Sequence, residues 1–139
     1  MGVLRMNRIL KFRAWEESEK KMYKCIVGNN DNLDDKFICP LIWVEDRIEW
    51  VHSHTCKIMQ YTGFKDIKEQ EIYEGDILVK LSQWWMKKYW VKVEYKNGAF
   101  IVNSLDKNNN SEYYISDLNI SEWRVIGNIY ETNKGLFVI

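Results

Sequence analysis

In the run QWWMKKYW, Trp84, Trp85, Tyr89 and Trp90 surround Lys87 and Lys88, which makes it the most unusual cluster in the chain. Aromatic faces stack on planar rings and ammonium groups meet phosphate, so this mixture suits a nucleotide-like ligand or a nucleic acid. The same side chains could instead cap a β core or line a subunit interface, where Trp and Tyr are enriched. A second candidate is the carboxylate group Glu71, Glu74 and Asp76 within EIYEGD, residue types that hold metals or perform general acid-base chemistry. No nucleophile or base is placed beside it by spacing, and the ordinary reading of its Gly75-Asp76 pair is a backbone turn. A hydrolase built on these acids would lose activity with a chelator and with Asp76→Asn. Third, His52, His54 and Cys56 alternate, so on a strand they project from one face, and Cys39 could complete a tetrahedral zinc set. Structural zinc sites more often use paired turn spacings, and a Cys-His nucleophile here would lack an orienting third group and an oxyanion hole. The sequence thus assigns no catalytic residue, no metal and no cofactor.

Composition narrows the field further. The chain has 139 residues, 46% of them hydrophobic and 14% aromatic, with one proline, which describes an ordered globular protein rather than a disordered one. Twenty basic residues balance twenty acidic ones, so no global field draws the protein to nucleic acid, although a local basic patch is compatible with neutrality. Low net charge also eases self-association, and a homo-oligomer is expected. Three cysteines, Cys25, Cys39 and Cys56, form no CxxC pair and follow no secretory signal, which points to a reducing compartment. No run of 18 uncharged apolar residues is present, and the N-terminal MGVLRMNRIL fits neither a signal peptide nor a myristoylation motif. The expectation is a soluble cytoplasmic protein with no membrane contact.

The elements that must position these residues are short strands. Residues 9–15 and 22–27 flank the charged stretch 16–21 as a hairpin, and residues 28–35, GNNDNLDD, form a turn-rich loop. Residues 41–44 and 47–51 flank Glu45-Asp46 as a second hairpin. Beyond Ile58, Gly63, Gly75, Gly98 and Gly127 punctuate runs rich in Val, Ile, Tyr and Trp. The stretch 72–81 reads as a strand with Ile77, Val79 and Leu81 on one face and Asp76, Leu78 and Lys80 on the other, one face going to the core. Asn97-Gly98 between two alternating runs is the strongest hairpin signal in the chain. Helix is confined to a turn or two near 84–88 or 116–123. The fold class is mainly β, with an N-terminal β-hairpin region over 1–57 and a small closed barrel over 58–139.

Four stretches in order, ILKFRAWEESEKKMY, IMQYTGFKD, EIYEGDIL and VIGNIYE, resemble the YopX-like phage protein family across nearly the whole chain. The resemblance implies a phage or prophage origin and a C-terminal SH3-like barrel, and it implies no general activity. Arg13, Trp15 and Tyr61 match recurrent family positions and so join the ligand-binding candidates Trp84, Trp85, Lys87, Lys88, Tyr89 and Trp90. Gly63, Gly75, Asp76, Gly98 and Gly127 are the structural turn residues. Where family members place an Asn-Gly turn, this chain has Lys68-Glu69, which implies a looser turn. The functional expectation is an accessory binding protein, oligomeric, that takes a host protein or a nucleotide-like ligand, in one version to counter host defence. The alternative is a nucleic-acid-binding barrel using Lys87, Lys88, Lys92 and Lys96 on phosphate, and behind it a metal-dependent hydrolase.

Overall fold

The computed structural model describes residues 9–29, 40–44, 49–52, 56–81 and 88–131. Eleven strands carry the fold: β1 Phe12–Glu16, β2 Lys21–Asn29, β3 Pro40–Val44, β4 Glu49–His52, β5 Cys56–Lys65, β6 Glu71–Tyr73, β7 Asp76–Leu81, β8 Lys88–Lys96, β9 Ala99–Ser104, β10 Glu112–Tyr114 and β11 Arg124–Asn128. They form two antiparallel sheets, one in the order β4-β3-β2-β1-β5-β6 and one in the order β10-β9-β8-β7-β11, the second curling into a half-barrel. The mainly β class read from the alternation is what the chain adopts.

Local chemistry explains the joints. The β8–β9 hairpin turns on Asn97 and Gly98, both at positive φ (52° and 81°), and closes on the pair Lys96↔Ala99. Two consecutive left-handed residues match the twist of the flanking strands, and Asn and Gly are the residues that adopt them cheaply. The segment expected as one strand over 72–81 is instead two, β6 and β7, broken at Glu74-Gly75. β7 also departs from a one-faced strand at its start, where Asp76, Ile77 and Leu78 are all nearly inaccessible. β8 and β11 pair with its edges, Leu78 packs into the main core, and Arg13 of the other sheet covers Asp76.

β5 joins β1 to β6 within the first sheet. Its first half pairs with β1, from Glu16↔Cys56 to Phe12↔Gln60, and its second half pairs with β6 at Tyr61↔Tyr73 and Lys65↔Glu71. Four steps along β5 thus oppose two along β6, a bulge that bends the strand, and Gly63 supplies the left-handed residue it needs at φ 88°. The 57/58 boundary falls inside this strand.

The main core joins Ile72, Leu78, Val91, Val93, Val102, Ile115, Trp123 and Val125, with Phe64, Phe100, Leu118 and Ile120 packed around it. Short 3-10 turns at Ile115–Asp117 and Ile120–Glu122 bring Ile115 and Trp123 inward, which is the only helical character among the described residues. The free side of β11 meets the β5–β6 connection rather than a strand: Ile67 N–H donates to the Trp123 carbonyl (3.0 Å) and Val125 N–H to Asp66 Oδ2 (2.8 Å). Asp66, 3% exposed, also accepts the N–H groups of Lys68 and Gln70 on Oδ1. The half-barrel is therefore bridged by a carboxylate-centred loop.

That loop answers the expectation of a loose turn. Lys68-Glu69 turns tightly, because Asp66 fixes its ends and Glu69 accepts the left-handed region at φ 62°. A side chain with a Cβ is strained there by about 1 kcal/mol relative to Gly. Glu69→Gly should stabilise the protein by roughly 0.5 kcal/mol after the gain in unfolded-state entropy is subtracted, read as a raised urea midpoint at unchanged slope. Asp66→Ala should destabilise it by about 2–4 kcal/mol in the same measurement, because it strands the buried Val125 N–H and two turn donors.

Candidate functional site

Two places bring chemistry-bearing side chains together. The first surrounds the end of β8. Tyr89 and Trp90 line a cleft of about 230 Å³ with Tyr113 of β10, Trp123, Lys80 of β7 and Ser111. Tyr89 and Trp90 lie opposite Lys80 and Val79 in the β7–β8 ladder, and β9 carries β10 alongside, so β8 and β10 deliver the aromatic walls together with Trp123. Tyr113 is 54% exposed and Lys80 is held by Glu122 at 2.6 Å. Of the six residues of the aromatic-lysine cluster, Lys88, Tyr89 and Trp90 are in β8, whereas Trp84, Trp85 and Lys87 lie outside the described residues. Tyr113 was not among the sequence candidates. Its signal was a pair of tyrosines in a short exposed strand, which becomes informative only once β9 sets β10 beside β8.

The second place is the junction of the two sheets, where all four motif stretches converge. Arg13 of β1 reaches across to the β6–β7 turn, donating from Nη2 to Asp76 Oδ1 (2.6 Å) and to the Glu74 carbonyl (3.1 Å). The other Asp76 oxygen accepts the Tyr73 N–H at 2.8 Å. The guanidinium lies over the Tyr73 ring at 4.8 Å, Tyr73 packs on Tyr61 at 5.5 Å, and Lys11 lies over Tyr61 while bonding Glu71 at 2.6 Å. Gly75, between these acids, donates its N–H to the Val93 carbonyl (2.8 Å) and accepts the Ile129 N–H (2.9 Å). Its φ is 80°, and a Cβ there would meet Met59 Sδ at 3.2 Å. Asn128 Oδ1 then accepts the N–H groups of Tyr130 and Glu131, turning the chain so that Tyr130 stacks on Trp15 at 6.0 Å.

Arg13, Trp15 and Tyr61 thus belong to this junction and not to the Tyr89 cleft. Trp15 donates Nε1–H to Glu17 (2.8 Å), and Tyr61 is buried in the ladder of rings and cations. Glu71, Glu74 and Asp76 take separate partners: Glu71 has Lys11, Asp76 has Arg13, and Glu74 Oε1 accepts only the Gln60 N–H at 3.2 Å. Gly127 sits in β11 at the register shift against β7. Of the zinc candidates, His52 ends β4, Cys56 starts β5 with its Sγ donating to Glu16 Oε2 (3.0 Å), and His54 and Cys39 lie outside the described residues. Among the described residues no group of three His, Cys, Asp or Glu side chains is placed to share a metal ion.

Burial dominates the electrostatics of the junction. It raises the Asp76 carboxyl above its ordinary range, with Arg13 and the Tyr73 N–H pulling the other way. Burial also raises Glu74, opposed by the Gln60 N–H and by the charge of Arg13. Tyr61, Tyr73 and Tyr130 are raised as well, first by burial and then by neighbouring glutamates. A carboxyl whose folded value is raised stabilises the fold fully below its unfolded value, and that contribution is lost as pH rises through the folded value.

Glu74→Gln keeps an acceptor for the Gln60 N–H and removes the charge. It should therefore raise the melting temperature at pH 7 and flatten the part of the stability-pH curve just above pH 4.5, the ordinary value for Glu74. Arg13→Met should cost about 3–5 kcal/mol by leaving Asp76 as an unpaired buried anion, and Arg13→Met combined with Asp76→Asn should recover part of that loss in a double-mutant cycle of urea denaturations.

The family model described as YopX protein matches residues 11–136. The crystal structure of protein EF1440 from Enterococcus faecalis superposes with a TM-score of 0.63 at 27% identity, covering 94% of this chain and 99% of that one. Protein yopX from Bacillus subtilis superposes with a TM-score of 0.57 at 15% identity, covering 88% and 94% of the two chains, which is a likeness of fold. Among curated proteins, none matches. No helix among the described residues is long and apolar enough to cross a membrane. The Arg13 to Asp76 junction and the Gly75 turn are built from the stretches that carried the resemblance, they lie within the matched range, and the chain is a member of the YopX family.

Proposed function

We propose that this protein is a noncatalytic binding module that takes a nucleotide-like ligand into the cleft of Tyr89, Trp90 and Tyr113. The observation that carries the reading is the cleft itself, in which aromatic walls from β8 and β10 sit beside Lys80 and the hydroxyl of Ser111. Exposed rings beside an ammonium group suit a planar base attached to an anion. The acids offered by the sequence for catalysis serve other ends, since both oxygens of Asp76 are engaged by Arg13 and a backbone donor, and Glu71 is paired with Lys11. Lys80 is paired with Glu122, as Lys92 and Lys96 are with Glu94 and Glu112, so the preference over the nucleic-acid alternative, which uses Lys87, Lys88, Lys92 and Lys96, rests on the aromatic walls and not on a free cation. The family resemblance supports a phage or prophage accessory role in the cytoplasm of a bacterial host, withholding the ligand from a host process. Tyr113 at the cleft and its neighbour Tyr114 outside it, each more than half exposed, are the surface for the host-protein version of the reading and for self-association.

Native mass spectrometry of the purified protein, before and after mild denaturation, should show a discrete oligomer that releases a nucleotide-sized mass. In titrations with adenosine monophosphate followed by tryptophan fluorescence, Tyr89→Ala and Trp90→Ala should each weaken binding about tenfold, in line with the ~1–3 kcal/mol of one base-aromatic stack. An apo species that binds no nucleotide in either measurement overturns the reading.

A further inference from the structure

We propose that the crevice between the two sheets, beside the Glu74-Gly75 turn, is a second binding site, for a small organic ammonium ion held by the Glu74 carboxylate and the rings of Tyr130 and Tyr95. The crevice has a volume of about 320 Å³ and shares no lining residue with the Tyr89 cleft. It is formed by Met59 of β5, the Glu74-Gly75 turn, β8 from Lys92 to Lys96, and Ile129 and Tyr130.

Its charge balance selects a cation. Glu74 is partly buried, one of its oxygens holds a backbone N–H, and among the described residues no cationic side chain forms an ion pair with it. Arg13 does not supply that pair, because its Nη2 is committed to Asp76 and to the Glu74 carbonyl. Asp76 also feels Glu131, so the single charge of Arg13 faces three carboxylates at this end of the molecule. The lysines that line the crevice are already answered, Lys92 by Glu94 at 2.5 Å and Lys96 by Glu112 at 3.0 Å. An incoming anion would meet surplus negative charge, whereas an incoming cation would neutralise a carboxylate that burial disfavours.

The walls suit an alkylammonium in particular. Tyr130 is fixed by stacking on Trp15, and Tyr95 by an edge contact with Phe100 at 5.2 Å. Tyr rings attract a cation over their faces, and the apolar side chains of Met59, Ile58 and Ile129 offer contact for an alkyl chain. The shared chemistry is a primary ammonium on a short hydrocarbon stem, either a free amine or the end of a lysine side chain on a partner protein.

The test is a 15N NMR titration of the whole chain with n-butylammonium chloride, with n-butanol and sodium chloride as controls. The Gly75 and Ile129 amides should shift saturably with butylammonium alone, and Glu74→Gln should weaken the response at least tenfold while leaving the rest of the spectrum in place. Tyr130→Leu should weaken it severalfold, an independent reading of the aromatic wall. Binding to the unmodified chain should fall as pH is lowered and Glu74 takes up its proton. The other titratable or charged groups facing it are Arg13, Asp76, Lys92, Glu94, Tyr95, Lys96, Tyr130 and Glu131, and the Glu74→Gln titration isolates the share of Glu74. Tighter binding of Nα-acetyl-lysine methylamide than of butylammonium would assign the site to a protein lysine, and the reverse order to a free amine. A response absent from the unmodified chain, or unchanged in both variants, overturns the proposal.

Discussion

One guanidinium ties the first sheet to the turn that begins the second. Arg13 stands in the middle of the first sheet, yet its polar contacts are all with the turn that begins the second, 61 and 63 residues further along the chain. Because Asp76 is almost wholly removed from solvent, its charge has no water to fall back on, and the geometry of Arg13 becomes obligatory rather than merely favourable. One nitrogen of the guanidinium bonds a carboxylate and a carbonyl at once while its plane lies over the Tyr73 ring.

From this contact the neighbouring constraints follow in order. A turn held by its carbonyl and its first strand residue must bring Gly75 against Val93 and Ile129, and only a residue without a Cβ fits there at positive φ. Ile129 is thereby placed, Asn128 turns the chain after it, and Tyr130 arrives on Trp15, two residues after Arg13 on the same strand. The four motif stretches are thus one closed circuit of contacts. Their role within the fold is architectural, and from the same stretches Met59, Glu74, Gly75, Ile129 and Tyr130 also line the crevice.

How much of this was legible beforehand depended on the range of the interaction. The Asn97-Gly98 hairpin and the first hairpin were legible, because turn chemistry and alternation are local. Gly75 and Asp76 were readable as a turn, but the partner of Asp76 was not, since nothing in the spacing of Arg13 announces a contact 63 residues away. The one-faced pattern expected for β7 failed for a related reason: Leu78 goes to the main core, Asp76 is covered by Arg13 from the other sheet and Ile77 is buried as well, placements that no local spacing announces. Lys68-Glu69 misled because the tightness of that turn comes from Asp66 and not from the residues at its tip. Tyr113 joined the cleft only through β9, a placement set by sheet order and invisible to periodicity.

The position of β1 has a consequence for how the chain can come apart. It is an interior strand made from an early segment of sequence, zipped to β2 by a short hairpin and to β5 across some forty residues. Unzipping it would bare two ladder edges at once, those of β2 and β5, and at the same moment leave a carboxylate without its counter-ion. The opening stretch therefore acts as a keystone: its departure would turn a protected sheet into a pair of sticky templates for neighbouring molecules.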